Sequence, residues 1–144
     1  MQQAATLSSI DPLACVVVID ESVVVKKMFQ STGADLGVDL KLFSSASAAM
    51  AFLKRFKPDL VVMDIMLPDK DGLTFLQELR KTSLHRDTPI VMITTKGYAQ
   101  DRLIAKHLGA LEFVVKPISS RATHNLILEF AKPHGGEPRK ISHG

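Results

Sequence analysis

A chain of 144 residues, 46% of them hydrophobic, fits one domain with one substantial core and argues against a two-domain enzyme. The formal charge is +3, but Lys132 to Gly144 sets Lys132, Arg139 and Lys140 against only Glu137, so a basic tail carries most of it. No basic groove is required, and direct nucleic-acid binding by the domain is not expected.

Residues 1–13 show no periodic pattern and lack the basic start and apolar middle of a signal peptide; they are read as a flexible N-terminal segment. Cys15 to Ile19 is an apolar run of strand length, closed by Asp20-Glu21. Its Cys15 is expected to be a small buried thiol and, as the single cysteine, forms no intrachain disulfide. A helix follows from about Ser22 to Thr32, then Val38 to Phe43, which alternates and reads as an edge strand. Ala46, Ala49, Met50, Leu53 and Phe56 fall at helical spacing, in a helix that ends before Lys57-Pro58.

Leu60 to Met63 is the next buried strand, closed by Asp64. Gly72 to Lys81 is a helix with Leu73, Leu76 and Leu79 on one side. Ile90 to Ile93 is closed by Thr94-Thr95, and a helix carrying Leu103, Ile104 and Leu108 stops at Gly109. Phe113 to Val115 is the last buried strand, closed by Lys116-Pro117, before a helix over about Ser120 to Ala131. Residues 133–144 combine two prolines, Gly135-Gly136 and charges, and are read as a flexible tail beyond a domain of 14–132. No apolar run approaches bilayer length, so no membrane insertion is expected and a reducing, cytoplasmic setting is the default.

Strand and helix thus alternate five times. Apolar runs without polar alternation suit strands covered on both faces, so the pattern implies a doubly wound, five-stranded parallel α/β sheet with five helices and right-handed crossovers. In such sheets ligands bind outside the carboxyl ends of the strands. Here those ends carry Asp20-Glu21, Asp64, Thr94 and Lys116.

Each of these residues has an ordinary structural reading. Asp20-Glu21 could cap the helix that follows, Asp64 could be a solvated turn acid, Thr94 a β-branched strand residue and Lys116 an exposed cation before a proline. Together they read differently, because three carboxylates brought close raise one another's pKa unless a cation sits among them. Oxygen-only donors favour a hard ion, Mg²⁺ or Mn²⁺ in its place, over zinc. His85, His107, His124, His134 and His143 have no metal-ligand spacing and are read as surface histidines. With a metal present, Asp64 can attack phosphorus to form an acyl phosphate while Lys116 and Thr94 bind the transferring group. No nucleotide-binding or nucleophile-elbow motif is present, so the phosphoryl donor is expected to be another protein or a small acyl phosphate.

The segments Val-Val-Val-Ile-Asp20-Glu21-Ser22, Pro58-Asp59-Leu-Val-Val-Met-Asp64-Ile-Met-Leu-Pro68-Asp69-Lys-Asp71-Gly72, Pro89-Ile-Val-Met-Ile-Thr94-Thr95 and Gly109-Ala110 with Phe113-Val-Val-Lys116-Pro117 stand in order over residues 14–132. Together they resemble the receiver domain of bacterial response regulators. The resemblance implies a flavodoxin-like fold with strand order 2-1-3-4-5 and phosphorylation of Asp64 by a sensor histidine kinase or histidine phosphotransfer protein. It further implies that Glu21, Asp64 and the backbone carbonyl of Met66 ligate Mg²⁺, with Asp20 acting largely through water. Thr94 and Lys116 would bind phosphoryl oxygens, Phe113 would be the aromatic switch residue, and the Lys116-Pro117 peptide would be cis.

By the same likeness, the face of the fourth helix, fifth strand and fifth helix would engage a downstream protein partner or a second copy. Such a domain is a signalling switch that assists its own phosphoryl transfer and dephosphorylation. Thr95, Met66 and Lys96 depart from the usual pattern around the acceptor, and an apolar Met66, unable to orient a water, implies a long-lived acyl phosphate. Asp-Glu also stands for the commoner Asp-Asp pair. A haloacid-dehalogenase-like phosphatase would need a second acid where Met66 stands. A flavodoxin-like cofactor binder would need a phosphate-cradling loop. A non-phosphorylated interaction module is opposed by the intact Asp64, Thr94 and Lys116 set.

Overall fold

In the computed structural model, which describes residues 14–132, three segments are sealed from solvent along their whole length: Val16 to Ile19, Leu60 to Met63 and Ile90 to Ile93. They form the interior of β1 (Cys15–Ile19), β3 (Leu60–Asp64) and β4 (Ile90–Thr94). Between and around them run α1 (Val23–Leu36), β2 (Asp39–Phe43), α2 (Ala46–Leu53), α3 (Gly72–Lys81), α4 (Ala99–His107), β5 (Glu112–Val115) and α5 (Ser120–Phe130). All pairings are parallel, in the order β2-β1-β3-β4-β5, as the resemblance implied. The expected flexible ends, 1–13 and 133–144, lie outside the described residues.

The period-two alternation of a strand divides the core in two. Val17, Ile19, Val61, Met63, Ile90 and Met92 pack with Ala49, Leu53, Leu76, Leu79 and Ala105, so α2, α3 and α4 cover one face. Val16, Val18, Leu60, Val62, Val91 and Ile93 pack with Val25, Phe29, Leu126 and Ile127 under α1 and α5. Among the described residues, no helix is long and apolar enough to cross a membrane.

Several local expectations are corrected. β5 is only partly buried, because as an edge strand it has a single neighbour, β4. Cys15, at the open start of β1, is half-buried; burial first, then Asp39 and Asp59, push its thiol up to about 11, so it stays protonated. α1 runs on to Leu36 and stops where Gly37 takes a left-handed φ of 71°. α2 ends at Leu53, leaving Phe56 exposed and stacked on Phe52 at 4.9 Å. In α4 the inward residue is Ala105, and Leu103, about 200° around a helix of 3.6 residues per turn, is 68% exposed.

α3 is tied to the far end of the sheet by Arg80. Its Nε donates to the Leu108 carbonyl at 2.8 Å, its Nη1 to those of His85 (2.9 Å) and Thr88 (2.8 Å), and its Nη2 to that of Gly109 (3.2 Å). One guanidinium thereby satisfies carbonyls from the α3–β4 loop and the end of α4.

His85, expected at the surface, is buried at 2% exposure. Its Nε2 lies 2.6 Å from the Leu53 carbonyl oxygen, which can only accept, so Nε2 carries the proton and Nδ1, 2.8 Å from Thr88 Oγ1, accepts. Burial is the largest cause holding the ring below its ordinary 6.5; the Leu53 contact opposes it, and Lys57 and Arg80 add to it. As pH falls through that value, the unfolded chain binds a proton that the folded chain resists, so folding stability is full above it and declines below. The urea midpoint should therefore fall between about pH 7.5 and about pH 5.5, and His85→Gln should flatten that slope. An unchanged slope in the variant would remove His85 as its source.

Candidate functional site at the carboxyl ends of the strands

The parallel register sets the site. Ile19 pairs with Met63, so the next residues, Asp20 and Asp64, stand side by side; Thr94 pairs with Val115, and Lys116 follows directly. The Lys116-Pro117 peptide is cis. Lys116 Nζ lies 2.8 Å from Asp20 Oδ2 and donates to Asp64 Oδ2 at 3.1 Å. Both carboxylates are buried, Asp20 at 0% and Asp64 at 7% exposure.

The helix-capping alternative for Asp20 fails on geometry. Ser22 caps α1 by accepting from the Val25 amide at 3.2 Å, while Asp20 Oδ1 accepts from the Ser22 amide at 2.8 Å. Asp20 Oδ2 is paired with the Lys116 ammonium at 2.8 Å. Two buried carboxylates side by side share a single ammonium, so the pair keeps net negative charge and oxygen lone pairs that fit a hard divalent cation. The third expected acid, Glu21, is exposed, and among the described residues no three His, Cys, Asp or Glu side chains are gathered closely enough to hold a metal by themselves.

Asp64 Oδ1 accepts from the Met66 amide at 3.1 Å. Burial raises the Asp64 carboxyl above its ordinary value, the Met66 amide lowers it, Asp20 raises it and Lys116 lowers it, with a net upward result. Burial disfavours the charge on Lys116, but Asp20 and then Asp64 outweigh it, and the ammonium is held above its ordinary value. Thr94 is buried, its Oγ1 accepting from the Lys96 amide at 3.2 Å and its carbonyl from the Lys116 amide at 2.7 Å. Thr95 and Lys96 are exposed at the rim, and Met66 projects outward at 59% exposure. Phe113 is partly buried against the α2–α3–α4 side of the core.

The loop after Asp64 is held by contacts that sequence reasoning did not assign. Asp71 caps α3 through the Thr74 amide at 3.1 Å, a role its place before a helical run could have signalled. Asp69 reaches across to the start of α2, accepting from the Ala46 amide at 3.0 Å and the Ser47 amide at 2.9 Å. Those bonds, Ser47 first, hold its carboxyl below the ordinary range, and no local pattern foretells them. Gly72 closes the loop: a Cβ there would lie 2.3 Å from the Asp64 carbonyl oxygen.

An open parallel sheet with its polar groups gathered at one edge defines a flavodoxin-like α/β domain, a class whose members differ by what that edge carries. Here the family model of the response regulator receiver domain matches residues 16–128, and the chain belongs to that family of two-component signalling domains. The probable transcriptional regulator ycf27 of Porphyridium aerugineum is 35% identical over 106 residues, which is 74% of this chain and 43% of that protein. The chain thus spans less than half the length of such relatives. Among solved structures, the chemotaxis response regulator CheY4 of Vibrio cholerae superposes with a TM-score of 0.76 at 24% identity, covering 83% of this chain and 99% of that one. The receiver domain of sensor histidine kinase PA1611 from Pseudomonas aeruginosa PAO1, solved with magnesium in its active-site cleft, gives a TM-score of 0.73 at 20% identity, with coverage of 83% and 98%. At those identities the likeness is one of fold.

The electrostatic coupling is directly measurable. Followed by carboxyl ¹³C shifts, Asp64 should titrate above its ordinary 3.8, and Asp20→Asn should move that midpoint downward. An unmoved midpoint would mean that the two carboxylates do not interact.

Proposed function

We propose that Asp64 accepts a phosphoryl group from a sensor histidine kinase or a histidine phosphotransfer protein, and that the chain is a switch controlling a partner. The observation that carries this reading is the Lys116 ammonium held between the buried carboxylates of Asp20 and Asp64. An Asp64 oxygen attacks phosphorus as the bond from phosphorus to the donor breaks, leaving the group on Asp64 as an acyl phosphate. Lys116 stands ready to neutralise the incoming oxygens, and the buried Thr94 hydroxyl can turn to donate to one of them. A bound Mg²⁺ or Mn²⁺ would supply further charge neutralisation, with Glu21, Asp64 and the Met66 carbonyl as ligands.

Adding close to two negative charges at Asp64 would draw Thr94 inward and give Phe113 room to rotate. The change would reach the α4–β5–α5 face, where Tyr98, Leu103 and Val115 are exposed, and that face would engage a downstream protein or a second copy. In this reading the domain itself contacts no nucleic acid and works in the cytoplasm. Any DNA binding would belong to a further domain such as a transcriptional regulator carries.

Incubation with acetyl phosphate and Mg²⁺ followed by intact mass should show a single phosphoryl adduct on the wild type and none on Asp64→Asn. No adduct on the wild type, or an equal one on the variant, would sink the reading. Because the outward, apolar Met66 side chain cannot orient an attacking water, the adduct should decay slowly, and Met66→Asn should shorten its lifetime. Equal decay in the two proteins would remove Met66 from control of that lifetime.

A further inference from the structure

α4 is held to the domain by little apolar burial, since Ala105 is its buried residue and Tyr98, at its N-cap, makes no capping side-chain bond. Near its N-terminal end it is fastened by Arg102. The Arg102 guanidinium lies 4.7 Å over the centroid of the Phe113 ring, and its Nη1 donates to the Phe113 carbonyl at 3.4 Å. Among the described residues no carboxylate forms an ion pair with Arg102, so its charge faces the ring. Phe113 also packs against the core and is thereby held between hydrocarbon and a cation.

The same guanidinium adjoins the loop that leaves Thr94. A Cβ on Gly97 would lie 2.7 Å from Val115 Cγ2 and 3.8 Å from Arg102 Nη2, so the loop runs closely over β5 beside Arg102. One residue earlier, the Lys96 amide donates to Thr94 Oγ1. Contacts therefore run from the Thr94 hydroxyl through a short loop to Arg102 and Phe113.

We infer that Arg102 is a positioning residue that clamps Phe113 and the β4–α4 loop in the arrangement belonging to the unphosphorylated site. The inference rests on the reading of Asp64 as phosphoryl acceptor and Phe113 as the moving aromatic. Rotation of the ring or withdrawal of the loop toward Asp64 breaks the cation–ring contact, so the clamp opposes the phosphorylated form. Its loss shifts the balance between the two forms toward that form.

The test is the affinity of the full chain for beryllofluoride with Mg²⁺, followed by amide shifts, in wild type, Arg102→Ala, Arg102→Lys, Phe113→Leu and the Arg102→Ala/Phe113→Leu pair. Arg102→Ala should bind roughly two- to fivefold more tightly, the range expected for one exposed cation–ring contact, with Arg102→Lys between it and wild type. In the Phe113→Leu background the gain should vanish. A purely structural strap would lower stability without raising affinity, so equal or weaker binding by Arg102→Ala, with wild type titrating normally, overturns the clamp and leaves the acceptor reading standing. If wild type does not titrate, the acceptor reading falls. The clamp is then decided by urea unfolding of the same variants, where additive effects of Arg102→Ala and Phe113→Leu overturn it and non-additive effects support the contact.

Discussion

The site depends on one ammonium group shared by two buried acids. Asp20 and Asp64 are brought side by side by strand register, and a pair of like charges removed from water is costly unless a cation stands with them. Lys116 meets that need from the end of β5, two strands away from β3 across β4. A buried triad of this kind is poor value as a source of stability, because desolvation cancels most of the attraction. Its worth is preorganisation: the Lys116 positive charge already stands beside Asp64, where negative charge would arrive.

The rest of the sheet holds those ends in place with unequal firmness. Full burial of a Val, Leu, Ile or Met side chain is worth about 1.5–3 kcal/mol, and β1, β3 and β4 each bury four such residues completely. The strands that carry Asp20, Asp64 and Thr94 are thus the most completely buried of the described elements. α4 and β5, which bury little, lie at the other extreme. A firmly packed Asp64 beside a weakly packed neighbour is a suitable arrangement for turning a local charge into a displacement.

The sequence revealed what repeats and concealed what reaches across. Unbroken runs such as Val16 to Ile19 and Ile90 to Ile93 announce buried parallel strands, and with those placed, the polar residue after each run follows by topology. β5 misled because the short run Phe113 to Val115 looks the same whether a strand has one neighbour or two. His85 misled because its burial comes from the Leu53 carbonyl and the Thr88 hydroxyl, the former 32 positions distant. Asp69 bonds to amides 22 and 23 positions earlier, and Arg102 meets Phe113 only after a helix and a turn. Glu21, adjacent to Asp20, stays exposed where Asp20 is sealed, since neighbouring residues at a strand's end need not share an environment.

Arg80 bears on the mechanics of α4. Its guanidinium grips the Leu108 and Gly109 carbonyls at the C-terminal end of that helix, while the N-terminal end at Tyr98 has no side-chain cap. With two carbonyl hydrogen bonds gathered on Arg80 at one end and the single Arg102–Phe113 contact near the other, α4 is held unequally along its length. The firmer end lies at the edge of the sheet opposite Asp64, so any tilt of α4 about it would move the end beside the β4–α4 loop farthest.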